Sequence, residues 1–135
     1  MLGDGAHLPD DPAEAQRALS EHAARVADHL VLVTETSLAT YRAGAERGGF
    51  PAAAVDAVGV SVRAAVDAVV ARLGADDVAL IKGGNRQRLG RVALALAGRT
   101  VRCDLPACTA RIRCEDCPML ERGWSGHRVP FTVVR

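Results

Sequence analysis

The sequence predicts a mainly α fold. Its parts are an antiparallel helical hairpin, a third helix, and a small C-terminal four-cysteine metal-stabilised loop with a short β-hairpin. Three observations predict it. Hydrophobic residues make up 49% of the 135 positions but aromatics only 3%, so the apolar mass is Ala, Val and Leu, which suits helices packed through small side chains. Apolar residues recur at helical spacing along two long segments. All four cysteines fall within residues 103–117.

The first segment, 1–11, reads as a flexible leader ending in an acidic cap, Asp10 or Asp11, with Pro12 suited to the first helical turn. Helix 1 is expected from there to Arg47, because Leu19, Val26, Leu30, Val33 and Tyr41 form one stripe and Gly44 is tolerated. Gly48-Gly49 ends it, with Gly48 as the left-handed residue, and Pro51 opens helix 2. In helix 2, Val55, Val58, Val62, Val66, Val69 and Leu73 recur at intervals of three and four, and Gly74 closes the segment. Val60 and Val70 widen its apolar face beyond what one partner helix can cover, so residues 12–74 are expected to dimerise through helices 1 and 2.

Residues 75–98 read as a basic helix-turn-helix-like segment. Residues 76–82 are a short helix by their acidic start or a short strand by Val-Ala-Leu-Ile; in the helix-turn-helix reading 77–82 is the first helix, Gly83-Gly84 the turn, and 85–97 the third helix, with Leu89, Val92 and Leu96 on one face. Residues 99–135 form the four-cysteine module, flanked by expected strands at 99–103 and 128–135.

The cysteines follow the pattern Cys103-x4-Cys108-x5-Cys114-x2-Cys117. Four thiolates at short, unequal spacing can wrap one tetrahedral ion, and the Cys114-Glu-Asp-Cys117 pair lets two sulfurs address the same metal. Structural Zn2+ is the expected occupant. An Fe–S cluster is the alternative, because Cys117-Pro118 matches the ending of some ferredoxin motifs although the remaining spacing does not.

Net charge is +1, but the chain is divided: residues 1–81 hold six Arg against twelve Asp or Glu, and 82–135 hold ten Arg and one Lys against four acids. Sixteen Arg in one chain argue nothing alone; their clustering does. Lys82, Asn85, Arg86, Gln87, Arg88, Arg91, Arg99 and Arg102 sit in a stretch that contains no acid. Cations at a glycine turn preceding a helix suit a bound phosphate, and Asn, Gln and Arg are the side chains that read base edges.

These observations predict a small cytoplasmic zinc-binding regulatory protein that contacts nucleic acid, DNA above all, through its third helix and zinc loop. The rival readings are a module docking an acidic protein of the transcription machinery, and an Fe–S or thiol-based redox or metal sensor. No apolar run reaches the ~18 residues of a membrane span, and the acidic start lacks the apolar core of a secretory signal. A cytoplasmic setting favours metal over disulfides. Neither a His-Glu-x-x-His nor a Gly-x-Ser-x-Gly motif is present, and Lys82-Gly-Gly-Asn lacks the Walker pattern, so no enzyme is expected.

Overall fold

The computed structural model describes residues 1–4 and 11–124. It is mixed α/β rather than mainly α. Five α-helices accompany a parallel three-stranded sheet among the described residues. The strands are β1 (Leu2–Gly3), β2 (Leu30–Val33) and β3 (Val55–Ala57), and the helices are α1 (Pro12–Val26), α2 (Leu38–Arg47), α3 (Val62–Val70), α4 (Gly90–Leu96) and α5 (Met119–Arg122).

The predicted helical hairpin is replaced by two strand–helix–strand crossovers. Helix α1 begins as expected, with Pro12 in the first turn and the Glu14 N–H donating to Asp11 Oδ1 at 3.0 Å. It stops at Val26, because Leu30-Val-Leu-Val33 is a continuous apolar run and becomes a strand buried at every position. Such runs belong to strands covered on both faces of a parallel sheet. Alternation along β2 divides the core. Leu30 and Leu32 pack with Phe50, Ala45 and Tyr41 on the α1–α2 side, whereas Val31 and Val33 pack with Val62, Ala65, Val69, Leu89 and Val92 on the α3–α4 side. Residues from before and after 12–74 therefore pack on opposite faces of β2: Leu2 is buried on the α1–α2 side, and Leu89 and Val92 on the α3–α4 side.

Helix 2 was expected from Pro51, but Ala52–Ala54 is a single 3-10 turn and Val55–Ala57 is β3. Gly59, at φ +62°, breaks the chain, and Ser61 caps α3 by accepting from the Ala64 N–H at 3.1 Å. The helix is thus shorter than its valine stripe, and the hairpin that carried the expected dimer is not formed. At the end of α2 the left-handed residue is Gly49 (φ +78°), not Gly48, whose φ is −75°. Residues 77–82 are not helical: Lys82 pairs in parallel with Leu2 and lengthens the sheet beyond β1. The third helix starts at Gly90 rather than residue 85, and the strand expected at 99–103 is reduced to a bridge between Cys103 and Trp124. The strand expected at 128–135 lies outside the described residues.

Gly44 shows how closely α1 and α2 pack. A Cβ there would lie 2.1 Å from Ser20 Oγ and 2.2 Å from the Arg17 carbonyl oxygen, which is backbone and cannot swing away. Gly→Ala in an open helix gains about 0.5–1 kcal/mol. Here the sign should reverse, and Gly44→Ala should cost about 1–3 kcal/mol by forcing the helices apart. A lower urea midpoint at unchanged slope is the expected result.

Candidate metal centre

The cysteine loop follows α4 and packs against its N-terminal end. Cys103 donates its N–H to the Leu120 carbonyl (3.1 Å), and the Asp104 N–H donates to the Trp124 carbonyl (3.0 Å). The Cys108 N–H donates to the Arg86 carbonyl (2.7 Å), while Cys114–Asp116 forms one 3-10 turn closed by the Cys117 N–H on the Cys114 carbonyl (3.2 Å). These bonds bring all four sulfur-bearing residues to the wall of one cavity of about 30 Å³, with Leu120 and Trp124 among its apolar neighbours. None of the four is in a disulfide.

The sulfurs share this cavity without closing into a coordination sphere. Among the described residues, no three His, Cys, Asp or Glu side chains stand at metal-binding spacing. The metal-stabilised loop expected as part of the fold is therefore corrected to a loop organised by a guanidinium. Arg91 is 1% exposed. Its Nε donates to the Arg88 carbonyl (3.2 Å), Nη2 to the carbonyls of Gln87 (2.8 Å) and Leu105 (2.6 Å), and Nη1 to the Cys103 carbonyl (2.9 Å). Nη1 also lies 3.3 Å from Cys103 Sγ. One side chain thus ties the residues leading into α4 to residues 103–105.

The electrostatics of the cavity are unusual. A buried cation ordinarily has an anionic partner, yet among the described residues no carboxylate pairs with Arg91. Arg88 Nε and Trp124 Nε1 are buried donors without a partner among those residues. Burial holds the Cys114 thiol above its ordinary range, a rise that the charges of Arg91 and Arg88 offset only in part. The cavity therefore combines four ionisable sulfurs with a surplus of positive charge and unfilled N–H groups.

The predicted basic surface is divided by the same packing. Lys82, Asn85, Arg86, Arg99 and Arg102 are exposed, although Arg99 is paired with Glu121 at 2.9 Å. Arg91 is internal, and Arg88 turns inward to the Ala110 carbonyl from a left-handed backbone, φ +54°. Gln87 Nε2 donates to Asp4 Oδ2 (3.2 Å) and the Val33 carbonyl (3.0 Å), bracing the carboxyl ends of β1 and β2. Three of the residues expected to read bases are thus committed inside the protein. An open cleft lined by Gly83, Gly84, Asn85 and Arg88 reaches Cys114, so the exposed remainder borders the cysteine loop.

Asp104 is a positioning residue that sequence reasoning missed. Its Oδ1 accepts from the N–H groups of Val62 (2.6 Å) and Arg63 (3.1 Å), and its carboxylate receives the Ser61 hydroxyl at 3.0 Å. The residue after the first cysteine thus caps α3, where a carboxylate also complements the helix dipole. Its only sequence signal is that it is the sole acid between residues 82 and 114.

Compared with protein-family models, with curated proteins and with solved structures, the chain shows no match.

Arg91→Ala would leave the carbonyls of Gln87, Cys103 and Leu105 without their shared donor, while the Arg88 carbonyl keeps the residue-91 backbone N–H (3.0 Å). Each unsatisfied buried group costs about 1–3 kcal/mol, so a total loss of roughly 3 kcal/mol or more is expected by urea denaturation. Arg91→Lys should recover only part of it, because an ammonium cannot reproduce the planar fork.

Proposed function

We propose that this chain is a zinc-binding regulatory protein in which Cys103, Cys108, Cys114 and Cys117 take up one Zn2+ and the adjoining basic rim meets an anionic partner. The observation that carries the reading is the buried Arg91 guanidinium, which has no carboxylate partner among the described residues and donates toward Cys103 Sγ in a cavity bordered by all four cysteines. Four thiolates around one Zn2+ carry a net charge of −2, which supplies the missing counter-charge to Arg91. The thiolates would also accept hydrogen bonds from the unfilled donors on Arg88 and Trp124. Such contacts from beyond the ligands orient thiolates and set metal affinity.

Cavity size favours one ion over a cluster. A cavity of about 30 Å³ suits a single ion better than the bulkier Fe–S cluster. Four cysteine ligands would leave no open coordination position on the ion. A reducing, cytoplasmic setting accords with the unpaired thiols.

The regulatory part of the proposal rests on two contacts between loop and rim. Cys108 holds the Arg86 carbonyl, and Arg88 holds the Ala110 carbonyl. Asn85 and Arg86 are exposed between them, where two glycines leave the backbone open. Nucleic acid is the partner we propose, met through phosphate contacts at this rim rather than by a helix in the major groove, since Gln87, Arg88 and Arg91 are turned inward. Metal loading would fix the loop and with it the position of Arg86.

Elemental analysis of reduced protein titrated with Zn2+ should give one zinc per chain in a colourless sample. Cys114→Ser and Cys117→Ser should weaken zinc binding and, with it, salt-sensitive binding to random duplex DNA, while leaving most of the far-UV helical signal. Arg86→Ala should weaken DNA binding without releasing zinc. A broad visible band with bound iron would replace zinc by a cluster. Failure of the reduced chain to retain any metal would end the proposal.

A further inference from the structure

The turn after α5 is laid against residues 102–104 by backbone bonds. The Leu120 carbonyl accepts from the Arg102 N–H (2.8 Å) and the Cys103 N–H (3.1 Å), and the Trp124 carbonyl accepts from the Asp104 N–H (3.0 Å). The fit is close at Gly123, φ +93°, where a Cβ would lie 3.3 Å from the Arg102 Cβ. Asp104 in turn caps α3, which brings Arg63, in the first turn of that helix, to the same place. Arg63, Arg102 and Arg122, from three separate segments, thus line one open cleft of about 810 Å³, with Trp124 also in its wall.

The charge of this cleft is unbalanced. Among the described residues none of the three guanidiniums is in an ion pair. Asp104 is the one acid on the wall, and its carboxylate already serves the N–H groups of Val62 and Arg63 and the Ser61 hydroxyl. Neighbouring Glu121 is engaged by Arg99. Residues 5–10 and 125–135 contribute a single further acidic side chain, Asp10, and two further arginines. The chain's own side chains therefore offer the cleft little counter-charge, and a concave surface of one sign focuses its field on an incoming anion.

The tryptophan decides which anion. Trp124 is half-buried, and it borders both the cysteine cavity and the arginine cleft. Carboxylates of an acidic protein would satisfy the arginines and leave the indole unused. Arginines that meet phosphates beside an aromatic ring that meets a base are the combination found in sites for single strands, whereas the bases of a duplex are already stacked on one another.

We propose that this cleft holds a segment of single-stranded nucleic acid, with phosphates on Arg63, Arg102 and Arg122 and one base against Trp124. The proposal rests on the nucleic-acid reading above and adds to it the form of the strand and a contact point beyond Arg86. The two contact points adjoin the same cavity: Cys114 borders the cysteine cavity and the cleft at Gly83-Gly84, and Trp124 borders the cysteine cavity and the arginine cleft.

Trp124 is the only tryptophan in the chain, so its emission reports on this cleft. Titrating the reduced, zinc-supplied full chain with a dye-labelled short oligothymidylate at low salt should quench Trp124 emission in step with the rise in dye anisotropy. Arg102→Gln combined with Arg122→Gln should lower the slope of log affinity against log salt by about 1.4, at about 0.7 per phosphate contact, and Arg63→Gln alone by about 0.7. All three side chains are exposed, so circular dichroism should be unchanged. Arg42→Gln, exposed on α2, should leave the slope as it is. Strand binding that neither quenches Trp124 nor responds to the arginine variants overturns the cleft and leaves the rim at Arg86 standing. Absence of binding to any strand or duplex overturns both. Equal quenching by duplex DNA overturns the single-strand assignment. Displacement of the strand by inorganic tripolyphosphate or by polyglutamate at matched charge reduces the cleft to a general anion site or an acidic-protein site, and the proposal fails.

Discussion

A single buried guanidinium organises the C-terminal half of this molecule. Arg91 lies at the start of a seven-residue helix that would be unstable alone, and its donors reach backward to residues 87 and 88 and forward to 103 and 105. Arginine alone could do this, because its planar fork supplies several donors in fixed directions and stays charged when buried. The cost of removing that charge from water is offset by four carbonyl acceptors, and a neighbouring thiolate would complete the compensation. The cysteine loop, the inward turn of Arg88 and the exposure of Arg86 all depend on this arrangement.

The loop is joined to the sheet domain at a second point. Asp104 follows the first cysteine and caps α3, whose buried face holds Val62, Ala65 and Val69 against β2. Any change in the loop's position therefore acts on a helix in the main core. The loop is not a separate appendage hung on a helical body. It is anchored on α3 through a carboxylate and on α4 through a guanidinium.

Some of this was legible in the sequence. Asp11 and Pro12 announce the start of α1, and the four closely spaced cysteines do line one cavity. The fold class was misread because valine and leucine at every third or fourth position satisfy a helical period even where the chain is extended. Leu30-Val-Leu-Val33 lies within such a stripe, and only its unbroken apolar run marks it as a strand buried on both faces. Gly59 and Ser61 were the overlooked breaker and cap before α3. The basic segment was harder to read. An arginine that faces bases and one that serves carbonyls look alike in a sequence, and what separates Arg86 from Arg91 is a position in three dimensions that the helical period alone does not reveal.

The parallel arrangement has a consequence for how the chain reaches its native state. Strand β1 is only two residues long and lies between β2 and the Lys82 segment. The crossover from α1 through β2 and α2 to β3 joins neighbours in sequence and can assemble early, whereas the bridge between residues 2 and 82 must close a very long loop. The first strand to be synthesised is therefore the last to acquire both its neighbours. Until it does, β1 presents an unpaired edge to other chains. The kinetic vulnerability of this protein is thus concentrated in the interval before the Lys82 segment closes on β1.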